Sequence, residues 1–320
     1  MPSTKSPRKG SLQFWPRKRI NKFLPRVNWN AIESAKTGLK GFIVYKAGMA
    51  SAEVKDMTSN SMTKDKKIVL PVTILEAPKS KIFSVRLYKD GLVKKDVLAE
   101  QFDKELKKKI KVPKQPVKGG LNSVNAEDYD NVSVIVYSIV KKTGIKKKPD
   151  MAEVGLVGSS VGEKLEFVKS NLNKELSIND FFADGELVDF RGLTKGKGLQ
   201  GPVRRFGIHL KAHKSEKGVR RPGNVGPWHP ARVTYRVPMA GQLGKFTRVH
   251  YNQKIISLGS NEEIKNTLKS IKNYGNVNTD YVIVAGSVQG VPKRQLLITA
   301  PLRKSKMSAK KNYEFGRLLR

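Results

Sequence analysis

Apolar and polar positions alternate along much of this chain with the period of strands rather than of helices. GFIVYKAGMASAEVKD, from Gly41, reads as a strand, a turn at Ala47-Gly48 and a second strand. After a polar turn at Thr58 to Lys67, IVLPVTILEAP and KIFSVRLYKDG add two strands rich in β-branched residues. Phe102 to Lys111 predicts a short basic helix, VPKQPVKGG a Pro/Gly linker, and Val132 to Val140 a strongly apolar strand. Lys141 to Lys148 is a basic loop. Leu165, Val168 and Leu172 have helical spacing over Gly162 to Leu172. Ser177 precedes a short turn, INDFFADGEL, that leads to a strand marked by Leu187, Val188 and Phe190. Beyond Lys254, IISLG reads as a strand and Asn261 to Lys272 as a helix, with Asn261 as N-cap and Glu262 and Glu263 at its positive end. YVIVAGSVQGVPKRQLLITAPLR then reads as strand, Gly-rich turn, strand.

Short strands with Gly/Pro turns predict a mainly β protein with an α/β insertion, built on a small β-barrel and not on a doubly wound sheet. The boundaries follow from shifts in pattern: a basic N-terminal extension at 1–38, a discontinuous β core at 39–75 and 176–302, and an inserted α/β segment at 76–175. An extended loop at 206–250 leaves the core, and a basic tail at 303–320 ends the chain.

Charge changes this picture most. The 63 Lys and Arg against 27 Asp and Glu give +36, a self-repulsion that favours a densely anionic partner. From Arg191 to Lys254 fifteen Lys/Arg stand against one acid, Glu216, and residues 1 to 26 hold eight and no acid. No helical or strand period survives from about Lys211 to Gly226. Backbone this rich in Gly and Arg cannot bury itself without leaving charges and polar groups unpaired, so it needs a polyanion to lie against. A membrane surface fits less well, since no run of eighteen apolar residues and no signal-peptide core is present. The absence of Cys excludes disulfides, zinc fingers and thiol chemistry, and fits an intracellular protein.

In the N-terminal extension, Phe14, Trp15 and later Trp29 are interleaved with Arg17, Lys18 and Arg19, the mixture that stacks on bases while pairing with phosphates. This predicts an arm that orders on RNA. Gly192, Gly196, Gly198 and Gly201 form a glycine-rich stretch whose backbone N–H groups approach phosphates, with Arg191, Lys195, Lys197, Arg204 and Arg205 around it. Gly196 to Gly201 spells G-x-G-x-x-G after a strand, yet Pro202 follows with no amphipathic helix or βαβ unit, against a dinucleotide site. The spacing is also wrong for a Walker A loop. His209 and His213 are four apart, as ligands on one helix face would be, but no further ligand completes a metal site. His213 is read instead as a phosphate partner, as are His229, Lys245 and Arg248. No nucleophile–base pairing stands out, so enzymatic chemistry has no support. Trp228 sits in GNVGPWHPARV at the tip of a Gly/Pro-stiffened loop braced by Arg220, Arg221 and Arg232. Two readings stand: a tryptophan folded back on the core, or an RNA-facing wedge worth roughly 1–3 kcal/mol if it stacks on a base.

Phe182, Asp189, Gly192, Thr194, Gly196, Lys197, Gly198, Gly201 and Arg205 stand in the order and spacing of the signature of the large-subunit ribosomal protein L-three family, which this chain resembles. The resemblance extends to YKAGM at Tyr45 to Met49, PWHPARV at Pro227 to Val233, AGQLG at Ala240 to Gly244 and the GSVQG stretch near the C-terminus. Length and middle insertion resemble the archaeal branch. Two positions depart from relatives: Ala50, where many carry Thr, and Glu216, where eukaryotic ones carry His. The resemblance implies a translation-protein-type barrel, direct binding to large-subunit (23S-type) rRNA near its 3′ end and an early part in subunit assembly. It also implies an arm towards the peptidyl-transferase centre around Trp228. The neighbours it implies are ribosomal proteins L-fourteen and L-twenty-four-e, in the cytoplasmic large subunit. No cofactor is expected beyond Mg2+ or K+ belonging to the rRNA. A free RNA chaperone that leaves the mature subunit and a nucleotide-dependent enzyme are the alternatives from other classes.

Overall fold

The computed structural model describes residues 8–34, 38–113, 120–121, 124–214, 216–260 and 268–319. In chain order the strands are β1 (Gly38–Leu39), β2 (Gly41–Asp56), β3 (Lys67–Ala77), β4 (Ser80–Lys89), β5 (Leu92–Leu98), β6 (Asn131–Ser138) and β7 (Met151–Val157). They continue with β8 (Leu187–Leu193), β9 (Gly198–Gln200), β10 (Gly241–Leu243), β11 (Thr247–Gly259), β12 (Asp280–Ala285), β13 (Gln295–Thr299) and β14 (Tyr313–Leu319). The helices are α1 (Val161–Asn171), α2 (Pro202–Phe206) and α3 (Lys306–Lys310). The chain is mainly β. It divides into two compact units, Met1–Phe23 with Leu193–Arg248, and Leu24–Gly192 with Val249–Arg320. No helix among the described residues is long and apolar enough to cross a membrane.

The larger unit is built on a sheet in the order β13-β8-β11-β12-β3-β2-β14, and β13 also pairs with β2. β13 runs antiparallel to both of its neighbours, matching Leu297 with Arg191 on one side and with Ile43 on the other. Successive side chains point to opposite faces of a strand, and here both faces are covered. Val282 and Val284 of β12 join one apolar cluster, with Phe42, Val44, Leu75 and Phe190, while Tyr281 and Ile283 join another, with Val54, Val72, Ile74 and Leu318. This explains the unbroken apolar run YVIVA, which a half-exposed strand would interrupt.

A second, antiparallel sheet, β1-β7-β6-β4-β5, continues from β3 through Pro78 and shares the first of these clusters. Tyr45 on β2 ties the sheets together, donating to Asp150 at 2.6 Å and lying 2.8 Å from the Ser138 hydroxyl. Burial, and then the Asp150 carboxylate, push the Tyr45 phenol well above its ordinary value. α1 is capped by Ser160, which accepts from the Glu163 N–H, and it buries Leu165 and Val168.

Several expected elements differ. The turn at Ala47-Gly48 is a bulge inside one sixteen-residue strand, because β3 pairs with β2 on both sides of the slip between Lys46 and Gly48. Phe102 to Lys111 holds only a 3-10 turn, Lys104–Lys108; Leu106 is its one buried residue, and the surrounding lysines repel at helical spacing. IISLG is the end of the thirteen-residue β11. The basic tail supplies α3 and β14, which pairs with β2 from Ser51 to Asp56. Of the helix expected at Asn261 to Lys272, residues 261–267 lie outside the described residues, and 268–272 is turn with a bridge from Ile271 to Gly275. Trp29 does not join the basic arm. Its ring covers Gly41 and Gly155, where a Cβ would come within 2.9 and 2.8 Å of it.

Candidate nucleic-acid interface

The smaller unit begins at a ribbon in which β9 and β10 pair antiparallel, Gln200 opposite Gly241 and Gly198 opposite Leu243. Lys197 N–H donates to the Leu243 carbonyl at 2.9 Å, Thr194 N–H to Phe246 at 3.0 Å, and Phe246 N–H to Thr194 Oγ1 at 3.2 Å. At Gly244 the backbone has φ +77°, and a Cβ would stand 1.9 Å from the Lys195 carbonyl oxygen. Only glycine fits there. Lys245 follows at φ +53°, rare for a residue with a side chain. Its carbonyl accepts from Ile20 N–H at 3.2 Å, and its ammonium lies 5.6 Å from the centre of the Phe23 ring.

Arg205 is a strut of this loop. Its guanidinium donates to the carbonyls of Gln242 at 3.1 Å and Met239 at 3.0 Å, and packs so close to Gly241 that a Cβ would meet it at 2.9 Å. Arg17 and Arg205 lie 4.5 and 5.1 Å from the centre of the Phe206 ring. Arg248 lies 3.9 Å over Phe14 and 5.4 Å from Phe246, Trp15 lies 4.7 Å from Tyr235, and Arg8 donates to the Arg236 carbonyl at 2.8 Å. Each ring–cation contact contributes about 0.5–1 kcal/mol at an exposed position. The arm expected to order on RNA is therefore docked within its own unit. Phe14 packs beneath Arg248 and Trp15 meets Tyr235 with the rings tilted by 50°, since the loop itself supplies planar partners. Sequence reasoning missed Arg8, Phe206, Tyr235, Arg236 and Phe246; the available signal was an aromatic within two positions of an arginine, as in Arg205-Phe206, Tyr235-Arg236 and Phe246 to Arg248.

Charge in this unit is one-sided. Seven Lys/Arg in 1–23 and thirteen in 193–248 face a single acid, a net of +19. That acid, Glu216, is held by Lys211 at 2.9 Å. Burial first, and then repulsion from Arg17, lower the pKa of Arg205 and Arg248 from the ordinary arginine value, though arginines remain charged at neutral pH. Cations held this close without acids strengthen the field offered to an anion.

From Gly207 to Ala240 the described residues form neither helix nor strand, so His213, Arg220, Arg221, Trp228, His229 and Arg232 are all exposed. Trp228 is 89% exposed and has no ring or cation partner among the described residues, so it is not folded back on a core. Lys18, Arg19, Lys195, Lys197 and Arg204 are exposed as well. Gly196 packs against the Lys245 side chain, while Gly198, at φ +67°, and Gly201 border open space. Arg191 and Gly192 belong to the other unit. Arg191 Nε donates to Thr299 Oγ1 at 3.4 Å, and burial lowers its pKa against the opposing effect of Asp189. Gly192 lies inside β8 where a Cβ would stand 2.3 Å from Leu296 Cδ2, so its want of a side chain serves packing.

A helix does open after Gly201, contrary to the expectation at Pro202, because proline suits a first helical position. It has five residues and follows a two-stranded antiparallel ribbon, which is not a βαβ unit. His209 and His213 share no helix, and no group of three metal-ligating side chains occurs among the described residues.

The family model described as Ribosomal protein L3 matches residues 1–318. The Large ribosomal subunit protein uL3 of Methanococcus vannielii is 42% identical over 307 residues, covering 93% of this chain and 91% of that protein. Its counterparts from Methanocaldococcus jannaschii and Methanosphaera stadtmanae are 38% and 39% identical, again over 93% of this chain and over 91% and 92% of their own lengths.

Proposed function

The chain belongs to the ribosomal protein L3 family, and from that premise we propose that it binds large-subunit rRNA directly, near the 3′ end, and helps nucleate subunit assembly. It is an archaeal-type constituent of the cytoplasmic large ribosomal subunit and not an enzyme. The observation that carries the RNA reading is the net +19 of the smaller unit, with its one acid already paired. Lys18, Arg19, Lys195, Lys197, Arg204, Arg220, Arg221 and Arg232 contact phosphates, while Arg17, Arg205 and Arg248 brace the loop from within. The loop carrying Trp228 is the arm towards the peptidyl-transferase centre. Pairing of β13 with both β8 and β2 supports reading the large sheet as a closed translation-protein-type barrel. The neighbouring proteins are L-fourteen and L-twenty-four-e. The protein needs no cofactor of its own, and any Mg2+ or K+ nearby belongs to the RNA.

Binding of the purified protein to a fragment from the 3′ region of large-subunit rRNA, measured across a salt series, tests this. Affinity is expected to fall with a log–log slope of roughly −0.7 to −0.9 per phosphate contacted. A flat response, or equal affinity for an unrelated structured RNA, counts against it.

A further inference from the structure

The smaller unit holds a cleft of about 300 Å³ lined by Gln200, Gly201, Val203, Arg204 and Arg220. Neither Arg204 nor Arg220 has a hydrogen bond, ion pair or ring contact with any described residue, and the one acid nearby in sequence, Glu216, is taken by Lys211. Gln200 uses its amide N–H on the Lys197 carbonyl at 2.7 Å, and its side-chain oxygen meets no donor among the described residues. At Gly201 the backbone has φ −69°, and no heavy atom lies within 4 Å of the place a Cβ would take. Val203, half-buried, adds an apolar wall.

Two unpartnered guanidiniums suit a phosphate, which their planar forks grip through paired N–H groups. The apolar wall and the free amide oxygen beside them suit the face and edge of a base. The volume lies at the lower end of clefts that hold small organic ligands, about 300–1,000 Å³. A base still paired and stacked in an RNA helix cannot enter a recess of this size, whereas an unstacked one can. We propose that this cleft takes a single extrahelical nucleotide of folded RNA, its phosphate on Arg204 and Arg220 and its base over Val203 with an edge at Gln200 Oε1. The inference rests on the RNA-binding reading above and adds to it a demand for an unpaired nucleotide.

The full-length protein would be titrated with two RNA hairpins of equal length at one salt concentration, one fully paired and one carrying a single-nucleotide bulge. Gly201→Val places a side chain in the open cleft at an ordinary φ. Gly223→Val, also bordered by open space, serves as the control outside it. The bulged hairpin is expected to bind more tightly by roughly tenfold or more, the worth of one charge-assisted hydrogen bond. Gly201→Val and the Arg204→Gln/Arg220→Gln pair should erase that preference, and Gly223→Val should keep it. Equal binding of both hairpins by the unaltered protein, or a preference that survives Gly201→Val, overturns the inference and leaves RNA binding standing. Competition by inorganic phosphate as effective as by adenosine monophosphate reduces the cleft to an anion site and also overturns it. Binding of neither hairpin overturns both this inference and the reading beneath it.

Discussion

Gly244 and Gly201 belong to the same ribbon and its short helix but answer to opposite demands. Alanine at Gly244 would need a left-handed backbone and would drive its Cβ into the Lys195 carbonyl 1.9 Å away. Gly244→Ala is therefore expected to destabilise the smaller unit by more than about 2 kcal/mol, read as faster hydrogen exchange at the Lys197 and Thr194 amides. Gly201→Ala, at an ordinary φ and in open space, should change stability by less than about 1 kcal/mol. Retained protection in Gly244→Ala would refute the close approach. Trp228 makes the opposite kind of residue-level case. Almost wholly exposed, it contributes little to the free protein, so Trp228→Ala should leave the unfolding free energy unchanged within the roughly 0.5 kcal/mol expected at surface positions. In reconstituted subunits the same change should slow peptide-bond formation, and unaltered transfer rates would remove Trp228 from the proposed arm.

Among elements, β14 shows what a strand at the end of a chain can do. It pairs along β2 from Ser51 to Asp56 and buries Leu318 against the second apolar cluster. Ending the chain before Tyr313 is expected to cost at least the roughly 1.5–3 kcal/mol of that one side chain and to leave a bare sheet edge. Chemical denaturation and light scattering would report both effects; a monomeric protein of unchanged stability would show that β14 merely rests there. Its sequence, YEFGRLL inside a basic stretch, hid the strand, because charge drew attention from the alternation. The central strands were legible for the converse reason: β-branched runs such as VTIL, from Val72, and VSVIVYS bury nearly every position on both faces and leave little ambiguity. β5 and β7 were not, since LVKKDVL is mostly exposed and MAEVGLV carries Glu153 among its apolar positions. The exposure of Lys18, Arg19, Lys195, Lys197 and Arg204 could be read from charge alone. The docking of the arm could not, because a cation–ring contact such as Arg248 over Phe14 joins residues 234 positions apart and leaves no periodic trace.

For the whole molecule, about half of the +36 charge lies in about a quarter of the chain. Added salt should consequently have two opposite effects. It screens the self-repulsion and stabilises the free protein, while it weakens attachment to RNA. Thermal melts over a salt series check the first effect, and a melting temperature that falls between low and moderate salt would contradict it. The double pairing of β13 has a temporal consequence. Phe42 to Tyr45 cannot find Gln295 to Ile298 until some 250 further residues have been made, on the order of ten seconds to a minute at ordinary rates of synthesis. Throughout that interval the Phe42–Tyr45 flank of β2 lacks its partner, and the most cationic stretch leaves the exit tunnel before β13 has been made. An unpaired strand flank and an unneutralised cationic stretch are therefore exposed together until the last strands have been made, the combination that makes incomplete chains prone to aggregate.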